Sequence, residues 1–179
     1  MASDETKLLC DGKHIRLVAR GKWEFVERKK VSGIVGIVAV TDENKLILVE
    51  QFRAPVNKRV IELPAGLAGD ISGSEDEALE IAANRELSEE TGYEAKQMTR
   101  LIDGAVSAGI TSEIVTLFRA TGLRRTGEGG GDGSEDITVH EIPVDQVHAW
   151  VLAREKEGAI VDFKVYAGLY FVKCAEPKV

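Results

Sequence analysis

The chain has 179 residues, about one domain's worth, which argues against two independent cores. With 44% hydrophobic and 30% charged residues it falls outside the disordered and fibrous classes and should bury a sizeable core. Its 23 basic and 30 acidic residues leave a net charge of −7, which excludes the broad cationic footprint of a nucleic-acid binder and directs attention to where the acids cluster.

Met1 to Lys7 is polar and acidic, with no apolar stretch behind a basic start, and no run reaches the ~18 apolar residues of a membrane span. Cys10 and Cys174 stand near opposite ends without metal-ligand spacing, so neither a disulfide framework nor a zinc site is implied. A cytoplasmic protein with no membrane partner is expected. Runs rich in Val, Ile, Phe and Trp predict strands over His14–Ala19, Lys22–Val26, Ser32–Thr41 and Leu46–Phe52, with turn residues between them. Ile34–Val40 is nearly all apolar, the pattern of a strand covered on both faces. Trp23 and Phe25 alternate on one strand and therefore share a face, which suits either core packing or stacking on a nucleobase.

Val60–Leu63 reads as a short strand that ends at Pro64 and a loop from Gly66 to Gly73. Ser74 followed three positions later by Glu77 matches a capping box, predicting a helix that begins there and runs to Thr91, with Gly92 as the stop. A strand near Glu113–Ala120, a glycine-rich loop from Thr126 to Ser134, a strand over Ile137–Ile142 and helices near Val144–Lys156 and Asp162–Val172 complete a mixed α/β pattern without internal repeats. His14, His140 and His148 have no spacing that converges on the acidic cluster and are read as structural.

The chemistry concentrates in Arg85-Glu86-Leu87-Ser88-Glu89-Glu90-Thr91-Gly92-Tyr93. On a helix, Glu86 and Glu90 project from the same face and Glu89 lies about a quarter-turn to one side. Like charges at that spacing repel unless something cationic sits between them, and a hard divalent ion such as Mg²⁺ suits an all-oxygen site of this kind. Leu79 and Ala83 continue the same stripe, so the charged patch is the end of an otherwise buried face.

Arg85 to Tyr93 resembles the second half of the Nudix box, in which a glycine is followed after five residues by Glu and after seven more by Arg-Glu-apolar-any-Glu-Glu-any-Gly-apolar. Glu77 stands eight positions before Arg85 as that pattern requires, whereas ten residues separate it from Gly66, so the Leu67–Asp76 segment carries a five-residue insertion. Outside the box, Glu50-Gln51-Phe52-Arg53, Glu62-Leu63-Pro64-Ala65-Gly66, Thr111-Ser112-Glu113 and Glu135-Asp136-Ile137 are similar to segments of ADP-ribose and nucleoside-diphosphate-sugar pyrophosphatases. Ala108-Gly109 stands where that group usually has Pro-Gly, and Gly133 stands where some relatives carry a second acid.

The resemblance implies a single Nudix domain over 1–179, an α/β/α sandwich over 32–179 with the strands of 1–31 contributing to a homodimer. It implies hydrolysis of the diphosphate of a nucleotide sugar such as ADP-ribose to a nucleoside monophosphate and a sugar phosphate. Other Nudix substrates (GDP-mannose, a dinucleoside polyphosphate, a coenzyme A derivative) and a non-catalytic nucleotide-sugar sensor remain alternatives. It makes Ala65, through its main-chain carbonyl, and Glu86, Glu89 and Glu90 ligands of Mg²⁺ or Mn²⁺, with Glu135, on a mobile loop, or Glu89 as the catalytic base. Arg53, Glu62, Glu113 and Trp23 are its substrate-binding candidates, and Glu77 with Arg85 orients the box through a charge-assisted hydrogen bond.

Overall fold

The computed structural model describes residues 5–131 and 136–174. Three short strands, β1 (Lys7–Asp11), β2 (Ile15–Arg20) and β3 (Trp23–Arg28), form an antiparallel sheet in the order β1-β2-β3. β4 (Gly33–Ala39), β5 (Lys45–Arg53), β6 (Lys58–Glu62) and β7 (Ala65–Ala68) precede helix α1 (Leu79–Thr91). After it come β8 (Tyr93–Ala105), β9 (Ile114–Arg125), β10 (Thr138–Pro143), α2 (Val147–Lys156), β11 (Ile160–Val161) and α3 (Phe163–Lys173). Two further four-stranded sheets result, ordered β7-β4-β9-β8 and β10-β5-β6-β11, with β4 parallel to β9 and β11 parallel to β6.

β4 is apolar on both faces because both are covered. Val35 and Ile37 pack with Ile47, Ala82, Ala83, Leu87 and Phe118 on the α1 side, while Val38 packs with Leu46, Leu48, Ile61, Val147, Val151, Val165 and Leu169 on the side of α2 and α3. Helices on both sides of sheet make the expected α/β/α sandwich. Ala82, Ala83 and Leu87 are fully buried, and burying Leu87 alone contributes about 1.5–3 kcal/mol. Gly33 leaves room for the start of α1: a Cβ there would lie 2.5 Å from Leu79 Cδ2, so the leucine side chain would have to shift.

Several expectations need correction. The helix does not begin at a capping box: its N-cap is Ala78, which makes no side-chain cap bond, and Ser74 instead closes a turn by accepting from the Glu77 N–H at 3.0 Å. The Glu77 carboxylate that would complete the box is held by Arg85. The segment read as a loop from Gly66 is strand β7 at its start, where small residues pair with β4 between Gly33↔Ala68 and Gly36↔Ala65. β1 and the 13-residue β8 were not expected: β1 is exposed throughout, and β8 is a sheet-edge strand whose polar sequence, with a register shift between Arg100 and Ile102, hides any alternation. α2 starts at Val147 rather than Val144, after a turn in which Gln146 N–H donates to Pro143 O. Asp162 caps α3 by accepting from the Lys164 N–H at 2.7 Å. Gly92 ends α1 in the left-handed region at φ 73°, as its position predicted. His140 is structural, bonded to the buried Glu50 at 2.9 Å and 4.8 Å from the Trp150 ring.

Candidate active site

Helix periodicity places Glu86 and Glu90 one turn apart on the face of α1 that meets β7. There the backbone of β7 receives both: the Leu67 N–H donates to Glu86 Oε1 at 3.2 Å, and the Ala65 N–H donates to Glu90 Oε2 at 3.0 Å. Gly66 lies between these two contacts, and a Cβ there would sit 1.9 Å from the Glu86 carboxyl carbon, so any other residue would displace that carboxylate from the β7 main chain. The Pro-Ala-Gly sequence thus brings main chain against two carboxylates, with the Ala65 carbonyl as a further oxygen donor at the same place.

The acids are not uncompensated, as sequence alone suggested. Arg85 Nη1 donates to Glu86 at 2.9 Å and to Glu89 at 3.1 Å. The rest of its guanidinium engages both Glu77 oxygens at 3.1 and 3.0 Å and the Leu67 carbonyl at 2.8 Å, and Asp70 lies 3.5 Å away. Hydrogen bonding to Glu77 raises Arg85 further above its ordinary value, and the same contact lowers Glu77. This is the orienting pair that the box pattern implied.

Burial pushes Glu86 up to about 7, against the downward pull of Arg85. A desolvated carboxyl so placed is stabilised in its ionised form by additional positive charge. With Ala65 O, Glu86, Glu89 and Glu90 the donors are all hard oxygens, the chemistry of a Mg²⁺- or Mn²⁺-class ion. The residues therefore fit such an ion, although among the described residues no three acids form a preformed cage: Glu86 and Glu89 turn toward Arg85 and Glu90 toward Ala65.

These groups open into a cavity of about 560 Å³, which is also lined by Arg28, Gln51, Arg53, Glu62, Glu113 and Lys164. Arg53 Nε donates to Glu62 at 2.7 Å, and Arg28 Nε donates to Glu113 at 2.7 Å. Each arginine fork is held in orientation by its own carboxylate, the arrangement that suits bidentate phosphate recognition. Of the expected substrate residues, Arg53, Glu62 and Glu113 are brought together here, whereas Trp23 lies exposed on the N-terminal sheet and does not line this cavity. Glu135 lies outside the described residues. The glycine-rich segment reaches the site as far as Gly131, whose N–H donates to the Glu89 carbonyl at 3.0 Å, while the Gly130 N–H donates to Glu90 O at 2.8 Å and the Thr126 N–H to Gly92 O at 2.7 Å. These amides satisfy the last carbonyls of α1.

Arg28, Gln51 and Lys164 were not singled out by sequence. Gln51 sits inside the quoted Gln-aromatic-Arg segment and is buried, which was an available signal. Arg28 belongs to a basic patch and Lys164 to the first turn of α3, and nothing local marks either.

Comparison with known proteins follows the same lines. The NUDIX domain model matches residues 32–167. A methanol dehydrogenase activator from Bacillus methanolicus is 37% identical over 145 residues, which cover 80% of this chain and 74% of that protein. An ADP-ribose pyrophosphatase from Bacillus subtilis is 35% identical over 157 residues, covering 87% and 80%. A GDP-mannose pyrophosphatase from an Enterobacter species is 30% identical over 164 residues, again covering 87% and 80%. Among solved structures, an ADP compounds hydrolase superposes with a TM-score of 0.68 over 94% of this chain and 90% of its own, at 20% identity, a likeness of fold.

Proposed function

Because the chain belongs to the Nudix hydrolase family, we propose that it cleaves the diphosphate of nucleoside diphosphate sugars such as ADP-ribose, with Mg²⁺ or Mn²⁺, to a nucleoside monophosphate and a sugar phosphate. The observation that carries this reading is the juxtaposition, in one cavity, of three helix-borne carboxylates with Arg28, Arg53 and Lys164. Acids without the bases would describe a cation site alone, and bases without the acids would describe an anion site. Their combination fits a substrate bridged to the protein through both. Named activities among the relatives, on ADP-ribose and on GDP-mannose, support the substrate class and leave the sugar and base open.

Ala65 O, Glu86, Glu89 and Glu90 would hold the metal, which when bound supplies charge neutralisation to the diphosphate oxygens. Arg53, oriented by Glu62, and Arg28, oriented by Glu113, hold the phosphates in line for displacement. A water oxygen bonds to one phosphorus, the bridging P–O bond breaks, and the water's proton passes to a carboxylate. Glu135 is the preferred acceptor, because the chain leading to it is tied at Gly131 to the acidic end of α1; Glu89, half exposed at that end, is the second candidate. An intact set of box acids disfavours the sensor alternative.

The N-terminal sheet supports a homodimer. Leu8, Leu9, Ile15, Leu17 and Trp23 are all exposed on it, more apolar surface than such a small sheet normally leaves in water. A chain of 19.5 kDa that sediments as a monomer at micromolar concentration would remove that part of the reading. Trp23 would then lose its proposed role at a partner's site. Among the described residues no helix is long and apolar enough to cross a membrane, and both cysteines are unpaired, which fits the proposed cytoplasmic setting.

A panel of nucleoside diphosphate sugars assayed with Mg²⁺ and Mn²⁺ tests the activity, with Glu135→Gln as the companion variant. The expected result is turnover of at least one nucleotide sugar, and a loss of about 10²-fold or more in kcat for Glu135→Gln, the size of effect typical of a general base. Normal turnover by Glu135→Gln would transfer the base role to Glu89.

A further inference from the structure

The box insertion builds a second cavity. Ten residues separate Gly66 from Glu77, and the extra length forms the wall of a chamber of about 570 Å³ beyond the end of β7. Asp70 and Ile71 line both this chamber and the carboxylate cavity, so the two share a wall at those residues. Lys30 and Ser32, from the corner between β3 and β4, form the opposite side.

The wall is a built feature. Gly69 adopts φ 74° and presses so closely on its surroundings that a Cβ would come within 2.6 Å of the Glu75 carbonyl and 2.8 Å of Ser32 Oγ. The Ser32 N–H donates to Ala68 O at 2.8 Å, the Ser74 N–H to Ile71 O at 2.9 Å and the Gly73 N–H to Glu75 Oε1 at 3.0 Å. Asp70, 3.5 Å from Arg85, ties the insertion to the box itself. Among the described residues the Lys30 ammonium has neither a hydrogen bond nor an ion pair, although Asp70 and Glu75 line the same chamber.

The lining selects a ligand class. Two carboxylates repel a further phosphate, and Val31 and Ile71 without an aromatic ring make a poor platform for a nucleobase. Carboxylates that accept, an ammonium that donates and serine hydroxyls that do both match the hydroxyl groups of a sugar. We propose that this chamber receives the glycosyl half of the substrate and that Lys30, Ser32, Asp70, Ser72 and Glu75 select the sugar through its hydroxyls. The assignment rests on the pyrophosphatase reading above: with the diphosphate at the box carboxylates, the group beyond the second phosphate enters across Asp70 and Ile71.

The test compares wild type, Ser72→Tyr, which fills the chamber, and Lys30→Gln, which replaces the ammonium by a shorter, neutral amide. Substrates are ADP-ribose, ADP-glucose, GDP-mannose and ADP methyl ester, which carries nothing but a methyl group beyond its second phosphate. For the best nucleotide sugar, KM should rise about tenfold or more in Ser72→Tyr and about threefold in Lys30→Gln, with kcat little changed, consistent with loss of one or two hydrogen bonds. Turnover of the methyl ester should be the same in all three proteins. Unchanged KM values for every nucleotide sugar would overturn the chamber assignment while leaving the hydrolase reading intact, and so would equal losses on the methyl ester. Wild type inert toward all four substrates would instead reject the pyrophosphatase reading, and the chamber assignment with it.

Discussion

Glu90→Gln is expected to lower kcat for nucleotide-sugar hydrolysis by about 10²–10³, equivalent to some 3–4 kcal/mol of transition-state stabilisation. The side chain is 3% exposed, at the C-terminal end of α1, and one of its oxygens accepts the Ala65 N–H at 3.0 Å. A glutamine keeps that volume, and its amide oxygen can still accept from Ala65, so the fold should persist while the negative charge is lost. Melting temperature measured alongside steady-state kinetics separates the two effects. A kcat within tenfold of wild type, at saturating metal, would show that Glu90 is no ligand and would leave Ala65 O, Glu86 and Glu89 as the proposed set.

Glu50→Gln should lower the melting temperature by about 4–8 °C while leaving the catalytic carboxylates untouched. Glu50 is a buried acid on the face of β5 away from the carboxylate cavity, and it gathers three elements: Arg59 of β6 at 3.0 Å, Arg154 of α2 at 3.0 Å and His140 of β10 at 2.9 Å. Removing one partner of a fully buried pair costs about 3–5 kcal/mol. Because both arginines keep about a third of their side-chain surface in water, a loss nearer 2 kcal/mol is expected, at about 2–4 °C per kcal/mol for a chain of this length.

The pH dependence of that difference has a definite sign. Burial raises Glu50, but the bonds from His140, Arg154 and Arg59 outweigh it and hold the carboxyl below its ordinary range. A group lowered on folding contributes stability that is present above its unfolded value of about 4.3 and is lost as pH falls through the folded one. The gap between wild type and Glu50→Gln should therefore be full at about pH 6 and shrink toward about pH 3. A gap that widens on acidification would mean that Glu50 is protonated in the native protein.

How much of this was legible in the sequence depends on whether the signal was local. β4 could be read because burial on both faces leaves an unbroken apolar run, and the end of α1 because Gly92 marks it. β7 could not, since Ala-Gly-Leu-Ala has no strand character of its own and becomes a strand only by pairing with β4. The capping-box reading failed for a related reason. Glu77 has one carboxylate and two possible partners, and Arg85, itself held by Glu86, Glu89 and Leu67 O, wins it from a cap that would have stood alone. Within the site, the box acids share one helix and reveal themselves by spacing, whereas Arg53 and Glu62, on the paired strands β5 and β6, were legible only through the resemblance of their segments to those of the pyrophosphatases. Arg28, Lys164 and the chamber wall come from separate parts of the chain, and only the three-dimensional packing assembles them.

The two alanines at the centre of the buried stripe of α1 have a role beyond filling space. Having almost no side chain, Ala82 and Ala83 let the helix axis settle close to the sheet, and that short separation brings Glu86 and Glu90 within reach of the β7 main chain. Tolerance to drift at these two sites is therefore set by volume, since an added methylene group would act as a wedge whose displacement is felt one and two turns further along. Homologous chains with identical acids could diverge in turnover through such hidden substitutions, and a catalogue of reactive groups alone would miss the cause.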